Sequence, residues 1–281
     1  MNENTIDALL ENTQLSEEEL FKKLYEEMHK DDQLSCAAYL LRRAAQKAPN
    51  RIALIYKDQQ ISYFELYQRA ALFSRILKER GVQPRDRILM CFENSPEFYI
   101  AYFAIWQIGA VIAPLNTFLQ EVELTHIIND AQPVLIVTES DRVELFTKTN
   151  LSLPPILTEQ DMNLTVSVPK ELIDDKIMCL EPDEMIALLY TSGTTGLPKG
   201  VMLSSNNIMT NLLQGLVRIR LVSHERVFGV LPFFHVFAQF ACVWGSLFMQ
   251  ATVIVVPKID RRYILDGLQH KPTFFIGVPA L

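Results

Sequence analysis

The run Met185-Ile186-Ala187-Leu188-Leu189-Tyr190, followed at once by Thr191-Ser192-Gly193-Thr194-Thr195-Gly196-Leu197-Pro198-Lys199-Gly200, decides how the rest of the chain is read. A short apolar run bounded by turn residues predicts a buried strand over 185–190. The segment behind it has the composition of an anion cradle at a sheet edge. Three glycines let backbone amides approach a ligand without Cβ obstruction, four hydroxyls offer short donors, and Lys199 adds a positive charge. Such a loop can hold polyphosphate. It is not the GxxxxGK loop of many nucleotide hydrolases, because the fifth residue after Gly193 is Pro198, and its three glycines do not have GxGxxG spacing. Composition alone would suit a flexible surface turn. Eleven ordered positions from Tyr190 to Gly200, starting at the end of an apolar strand, point to a site.

Outward from this loop the sequence alternates strand and helix, which predicts an α/β fold with mostly parallel sheets under covering helices. Upstream, 52–56 and the residues around Ile61 read as extended. Ser62-Tyr63-Phe64-Glu65 forms a capping box for a helix that stops at Gly81. A strand over 87–92 follows, then Ser95 and Pro96 as N-cap and first turn of a helix ending near Gly109. Strand 111–113, helix 121–130 and strand 134–138 continue the rhythm. The span 139–183 carries Pro154, Pro155, Pro169 and Pro182 and reads as loops and short strands. Downstream, the pattern predicts helix 206–218, strand 227–231, helix 236–248, strand 252–256, helix 261–270 and strand 273–277. The acidic residues 1–33 read as an N-terminal extension with an amphipathic helix over 16–29, and 34–281 as the domain proper.

The 281 residues are 49% hydrophobic with a formal charge of −7 and a pI near 5.3. A core is affordable in area, and general attraction to nucleic acid or anionic membrane is excluded. Any phosphate site must therefore be built locally. Cys36, Cys91, Cys179 and Cys242 show no CxxC or zinc spacing and read as buried thiols of a reducing, cytoplasmic environment. Met1-Asn2-Glu3-Asn4 begins no signal peptide. Apolar stretches 98–115 and 227–256 are broken by Gln107, Gly109, Pro232, His235, Gln239 and Gln250, so neither reads as a membrane span.

Residues 190–200 resemble the phosphate-loop signature of the acyl-adenylate-forming superfamily, which includes acyl-CoA synthetases, aryl-CoA ligases, luciferases and peptide-synthetase adenylation domains. Gly109 to Asn116 (GAVIAPLN), Pro232 to Ala238 (PFFHVFA) and Gly277 to Leu281 (GVPAL) resemble further blocks in the same order, so the likeness covers about residues 35–281. The resemblance is closest to fatty-acid–CoA ligases. It implies the layered αβα large domain of adenylating enzymes, present here as its first part without the C-terminal lid. The implied reaction joins a carboxylic acid, of medium or long chain, to AMP from ATP, then passes the acyl group to CoA.

By the same resemblance Thr191, Ser192, Gly193, Thr194, Thr195, Gly196 and Lys199 embrace the β- and γ-phosphates, and Thr191 helps hold Mg2+. His235 and Lys199 take catalytic roles, His235 beside the acyl-adenylate. Phe234, His235, Gly277, Val278 and Pro279 line the acid pocket. Peptide-synthetase domains carry an aspartate near His235 for the substrate ammonium; Phe233 to Ala238 holds no acidic residue, which disfavours an α-amino acid. The chain also departs from the family after Leu203, with Ser204-Ser205-Asn206-Asn207 where relatives have Ser or Thr followed by His. Ser205 there reads as a helix cap. The family's later adenine, ribose and lid-lysine blocks fall outside these residues, so the chain alone is expected to be inactive. An aryl-CoA ligase, an acyl-AMP ligase loading a carrier protein, and a nucleotide-binding module without catalysis remain alternative readings. A homodimer and a peripheral membrane contact stay open.

Overall fold

The computed structural model of the chain describes residues 3–30, 36–162, 177–191 and 196–277. In chain order the helices are α1 (Glu3–Glu11), α2 (Glu17–His29), α3 (Leu40–Lys47), α4 (Tyr63–Glu79), α5 (Pro96–Gln107), α6 (Glu121–Ala131), α7 (Val143–Thr147), α8 (Ser205–Ile219), α9 (Val236–Ala238), α10 (Ser246–Met249) and α11 (Arg261–Gln269). The strands are β1 (Ile52–Tyr56), β2 (Gln59–Ser62), β3 (Arg87–Cys91), β4 (Val111–Pro114), β5 (Leu135–Thr138), β6 (Ile156–Thr158), β7 (Met185–Thr191), β8 (Lys199–Ser204), β9 (Arg226–Gly229), β10 (Thr252–Val255) and β11 (Phe274–Phe275). They fall into two compact units, one of Met1–Tyr67, Asn94–Pro96 and Ser205–Leu281, the other of Gln68–Glu93 and Glu97–Ser204.

The second unit holds a sheet of order β6-β5-β3-β4-β7-β8, parallel except for the antiparallel edge strand β8. Its inner strands are buried on both faces, which is why they read as continuous apolar runs. Leu89, Val111, Ile136 and Leu188 pack with Leu124, Ile127 and Ile128 of α6 and with Phe146. Every residue of α5 from Phe98 to Gln107 is buried. The apolar stretch 98–115 is thus a twelve-residue helix plus a strand, and among the described residues no helix is long and apolar enough to cross a membrane. Gly109 ends this passage at φ +72, and an added Cβ would stand 2.8 Å from the Met178 side chain, so both conformation and space select glycine.

The first unit holds a sheet of order β11-β9-β10-β1-β2, again parallel except for an antiparallel edge, β2. Ser62 and Glu65 make the expected capping box at the start of α4, each side chain accepting the other's backbone N–H at 3.2 and 2.8 Å. Ser16 and Glu19 do the same for α2. Leu20, Leu24 and Met28 are buried, so the N-terminal helix packs by one edge, against α8. A further helix, α1, precedes it. Arg220 donates to the carbonyls of Leu10 and Asn12 at 3.1 and 2.9 Å, satisfying acceptors that the end of α1 leaves over.

Three sequence expectations change. The helix over 236–248 is interrupted by a π-helical stretch, Gln239–Gly245. There Ser246 Oγ donates to Ala241 O at 2.8 Å, five residues back, and a Cβ on Gly245 would lie 2.8 Å from Phe240 O. Ser205 is the first residue of α8 and is buried, its hydroxyl accepting the Ala37 N–H at 2.8 Å. Cys91 and Cys242 are free, buried thiols pushed up to about 12 by burial, as expected. Cys36 and Cys179 are not free thiols, and Cys179 is exposed. Spacing along a chain does not report oxidation state.

Candidate functional site

The segment 190–200 joins two antiparallel strands, and that hairpin is what the sequence reading missed. β8 pairs with β7 in a register that sets Tyr190 opposite Gly200 and Thr191 opposite Lys199. Directly paired residues project to the same face, so the fold brings the Thr191 hydroxyl and the Lys199 ammonium to one side of the hairpin mouth. Both are exposed, as is Gly196, whose φ of +97 only glycine adopts without strain. Among the described residues no carboxylate pairs with Lys199. Its charge is available to an incoming anion. Ser192, Gly193, Thr194 and Thr195 lie outside the described residues.

Helix α6 grips both stems of this hairpin. Tyr190 donates its hydroxyl to Asp130 Oδ2 at 2.6 Å, and His126 Nε2 lies 2.9 Å from Pro198 O. Since a carbonyl only accepts, the imidazole must present its Nε2–H there. Burial first and the Asp130 carboxylate second raise the Tyr190 phenol above its usual range, which keeps it a neutral donor. The Tyr190 ring reaches across because Gly200 leaves room, a Cβ there standing 2.9 Å from Leu188 Cδ1 and 3.3 Å from two Tyr190 ring atoms. His126 and Asp130 were not singled out from sequence. Their i, i+4 spacing on a predicted helix was the available signal, and only the fold shows what they face.

His235 belongs to the other unit, in the turn between β9 and α9. Its ring lies 4.2 Å from that of Phe234, tilted by 47°. Phe233 and Phe234 are buried, Phe237 is exposed, and the imidazole of His235 reaches solvent. The surrounding protein still removes part of its hydration, and the His235 pKa is lowered from the ordinary imidazole value by that desolvation. A neutral imidazole at neutral pH can donate and accept one hydrogen bond each. Gly277 is exposed, and Val278 and Pro279 lie outside the described residues.

Cavities of about 470 and 460 Å³ open elsewhere, the first beside Lys57, Arg262 and His270, the second beside Thr117, Arg142 and Lys148. Neither is lined by a residue singled out from sequence. Among the described residues there is no group of three or more His, Cys, Asp or Glu side chains arranged to hold a metal.

Comparison with known proteins supplies the context for this geometry. The sequence pattern described as AMP-binding enzyme matches residues 41–281. Feruloyl-CoA synthase from Amycolatopsis sp is 30% identical over 243 residues, covering 85% of this chain and 48% of the relative. The long-chain-fatty-acid–CoA ligase of Bacillus subtilis (strain 168) is 28% identical over 282 residues, covering 86% of this chain and 50% of the ligase. The crystal structure of ATP-bound MatB from Rhodopseudomonas palustris superposes with a TM-score of 0.75 at 30% identity, covering 86% of this chain and 50% of that one. The chain therefore spans about half the length of the relatives it matches.

Proposed function

Because the chain belongs to the AMP-binding enzyme family, whose pattern spans 41–281, we propose that it supplies the phosphate-handling and acid-pocket residues of an acid–thiol ligase. In this reading residues 34–281 are the first part of the adenylation domain and 1–33 its extension. The observation that carries the proposal is the Thr191–Lys199 register at the mouth of the β7–β8 hairpin, with both stems tethered to α6.

The chemistry follows from charge. A substrate carboxylate oxygen attacks the α-phosphorus of ATP, the bond to the β-phosphate oxygen breaks, and pyrophosphate leaves with the electron pair. Two anions must meet, so the site has to neutralise the triphosphate before attack and the pyrophosphate after it. Lys199 supplies a full positive charge, and Thr191, Ser192, Gly193, Thr194, Thr195 and Gly196 supply hydroxyl and backbone donors. Magnesium bound with the nucleotide would neutralise part of the triphosphate charge, and Thr191 would offer it one hard oxygen. The CoA thiol then attacks the acyl carbon and AMP departs. His235, neutral and half-solvated, donates to or accepts from the carboxylate as it is activated, with Phe234, Gly277, Val278 and Pro279 as pocket wall.

A fatty acid of medium or long chain is the first substrate class, supported by the apolar, acid-free 233–238 segment and the similarity to the Bacillus ligase. An aryl acid is the second, supported by the similarity to feruloyl-CoA synthase. Titration calorimetry of the 281-residue chain with magnesium pyrophosphate and with MgATP tests the phosphate site; no heat from either ligand rejects it. Acid-dependent exchange of labelled pyrophosphate into ATP, run on a polypeptide of the relatives' length with fatty, aryl and α-amino acids, tests the substrate class. Exchange with amino acids alone rejects both classes.

A further inference from the structure

The β9-to-α9 turn that presents His235 is held by a side chain distant in sequence. In the first unit's sheet, β9 and β10 are neighbours while β11, which follows β10, pairs on the far side of β9. Connections therefore leave in opposite directions here, and the carboxyl ends of β9 and β10 bound a crevice of the kind in which open α/β sheets take ligands. This crevice is filled by the carboxamide of Asn94, 3% exposed. Asn94 Nδ2 donates to Leu231 O at 2.9 Å and Val256 O at 3.0 Å, with Gly229 O at 3.3 Å. Asn94 Oδ1 accepts the Phe233 N–H at 2.8 Å, and Asn94 N donates to Pro257 O at 3.3 Å. Gly229 O already receives the Val256 N–H at 3.1 Å, so the two amide protons serve chiefly Leu231 and Val256.

We propose that Asn94 is a positioning residue, whose buried carboxamide fixes the 231–235 turn so that the His235 imidazole is presented in one orientation. The choice of residue follows from the inventory of bonds. Aspartate has no proton for the two carbonyls, leucine of similar shape would leave the Phe233 N–H and Leu231 O buried without this partner, and glutamine is one methylene too long for the crevice. A second buried amide completes the grip: Gln239 Nε2 donates to Phe234 O at 3.0 Å, and the His235 N–H closes the turn onto Pro232 O at 3.1 Å. Backbone groups of 231, 232, 233, 234 and 235 are thereby all engaged. A ring on so constrained a turn loses little freedom when substrate arrives, which is how a turn residue supports a reacting group without touching it.

The inference rests on the proposed role of His235, but its test reads the turn and not the reaction. Amide exchange is followed in the 281-residue chain, in wild type and in Asn94→Ser, together with the titration of the His235 ring protons by NMR. The Phe233 N–H of the wild type should be the slowest amide of the turn; exchange there as fast as an exposed amide overturns the proposal even if the variant fails to fold. In Asn94→Ser the amides of 231 and 233–236 should exchange roughly tenfold faster or more, the factor for easing local opening by one buried hydrogen bond, while α8 stays unchanged. The His235 titration should move up toward that of an ordinary imidazole. Equal acceleration in α8 and the turn, or no change in either readout, refutes a positioning role. Absence of pyrophosphate binding would reject the ligase reading and leave these results as they stand.

Discussion

Replacing Lys199 by alanine separates a binding role from a structural one, because the two predict different magnitudes in different assays. Lys199 is exposed on edge strand β8, without a carboxylate partner among the described residues, and its backbone stays paired with Thr191. Folding should therefore change by no more than about 0.5 kcal/mol, as for an ordinary surface substitution. Binding is another matter. A charge-assisted hydrogen bond to phosphate contributes about 1.5–3 kcal/mol, which corresponds to roughly 10- to 150-fold weaker affinity for magnesium pyrophosphate. The stem before Lys199 is anchored by His126 on Pro198 O, so the loss reflects the missing charge and not a displaced strand. Calorimetry gives the affinity and urea denaturation the stability, each at low and high salt. The wild-type affinity should fall more steeply with salt than that of the variant, since one fewer ionic contact remains to be screened. Unchanged affinity, or weaker binding that merely follows a loss of stability, would refute the assignment of Lys199 to the phosphates.

Tyr63 is fully buried and donates to the carbonyls of Ser246 and Ala251 at 3.2 and 2.5 Å, so Tyr63→Phe strands acceptors inside the core; a loss of about 1–3 kcal/mol by urea denaturation is expected, and a neutral result would show that they find other donors. Gly215→Ala would place a methyl 2.1 and 2.3 Å from two ring atoms of Phe240, and although alanine favours a helix by about 1 kcal/mol, overpacking of about 1–3 kcal/mol should leave the thermal midpoint lower. A raised midpoint would mean that the ring moves aside freely. For His235 the folded pKa lies below the ordinary 6.5, so the unfolded chain binds the proton that the folded chain resists. Its contribution to stability is intact above that value and is lost as pH falls through and below it; His235→Gln should therefore lose less stability than wild type between roughly pH 7.5 and pH 5.5. Parallel losses would show that the imidazole is not desolvated.

Local chemistry was legible where neighbours in sequence are neighbours in space. The capping boxes of Ser62 with Glu65 and Ser16 with Glu19 formed as read, since each links residues three apart. Strands β3, β4, β5 and β7 announced themselves as apolar runs because their successive residues are buried on both faces. β8 did not: Val201 and Met202 are 43% and 70% exposed, so its residues follow no burial pattern and its place is set by the ladder to β7 and the His126 contact at Pro198 O. The π-helical stretch likewise shows the apolar composition of an ordinary helix, and its register is visible only in the contacts of Ser246 and Gly245.

Sequence by itself determined the family and the chemical inventory, because eleven ordered residue types at 190–200 specify donors and a charge whatever surrounds them. Tertiary structure alone decided what holds that inventory in place: His126 and Asp130 of α6 on the two stems of the hairpin, and Asn94 in the crevice behind the His235 turn. These bonds span 60 to 139 residues. A one-dimensional pattern cannot encode such pairings, since burial and hydrogen bonding depend on which distant backbone groups the fold brings within about 3 Å.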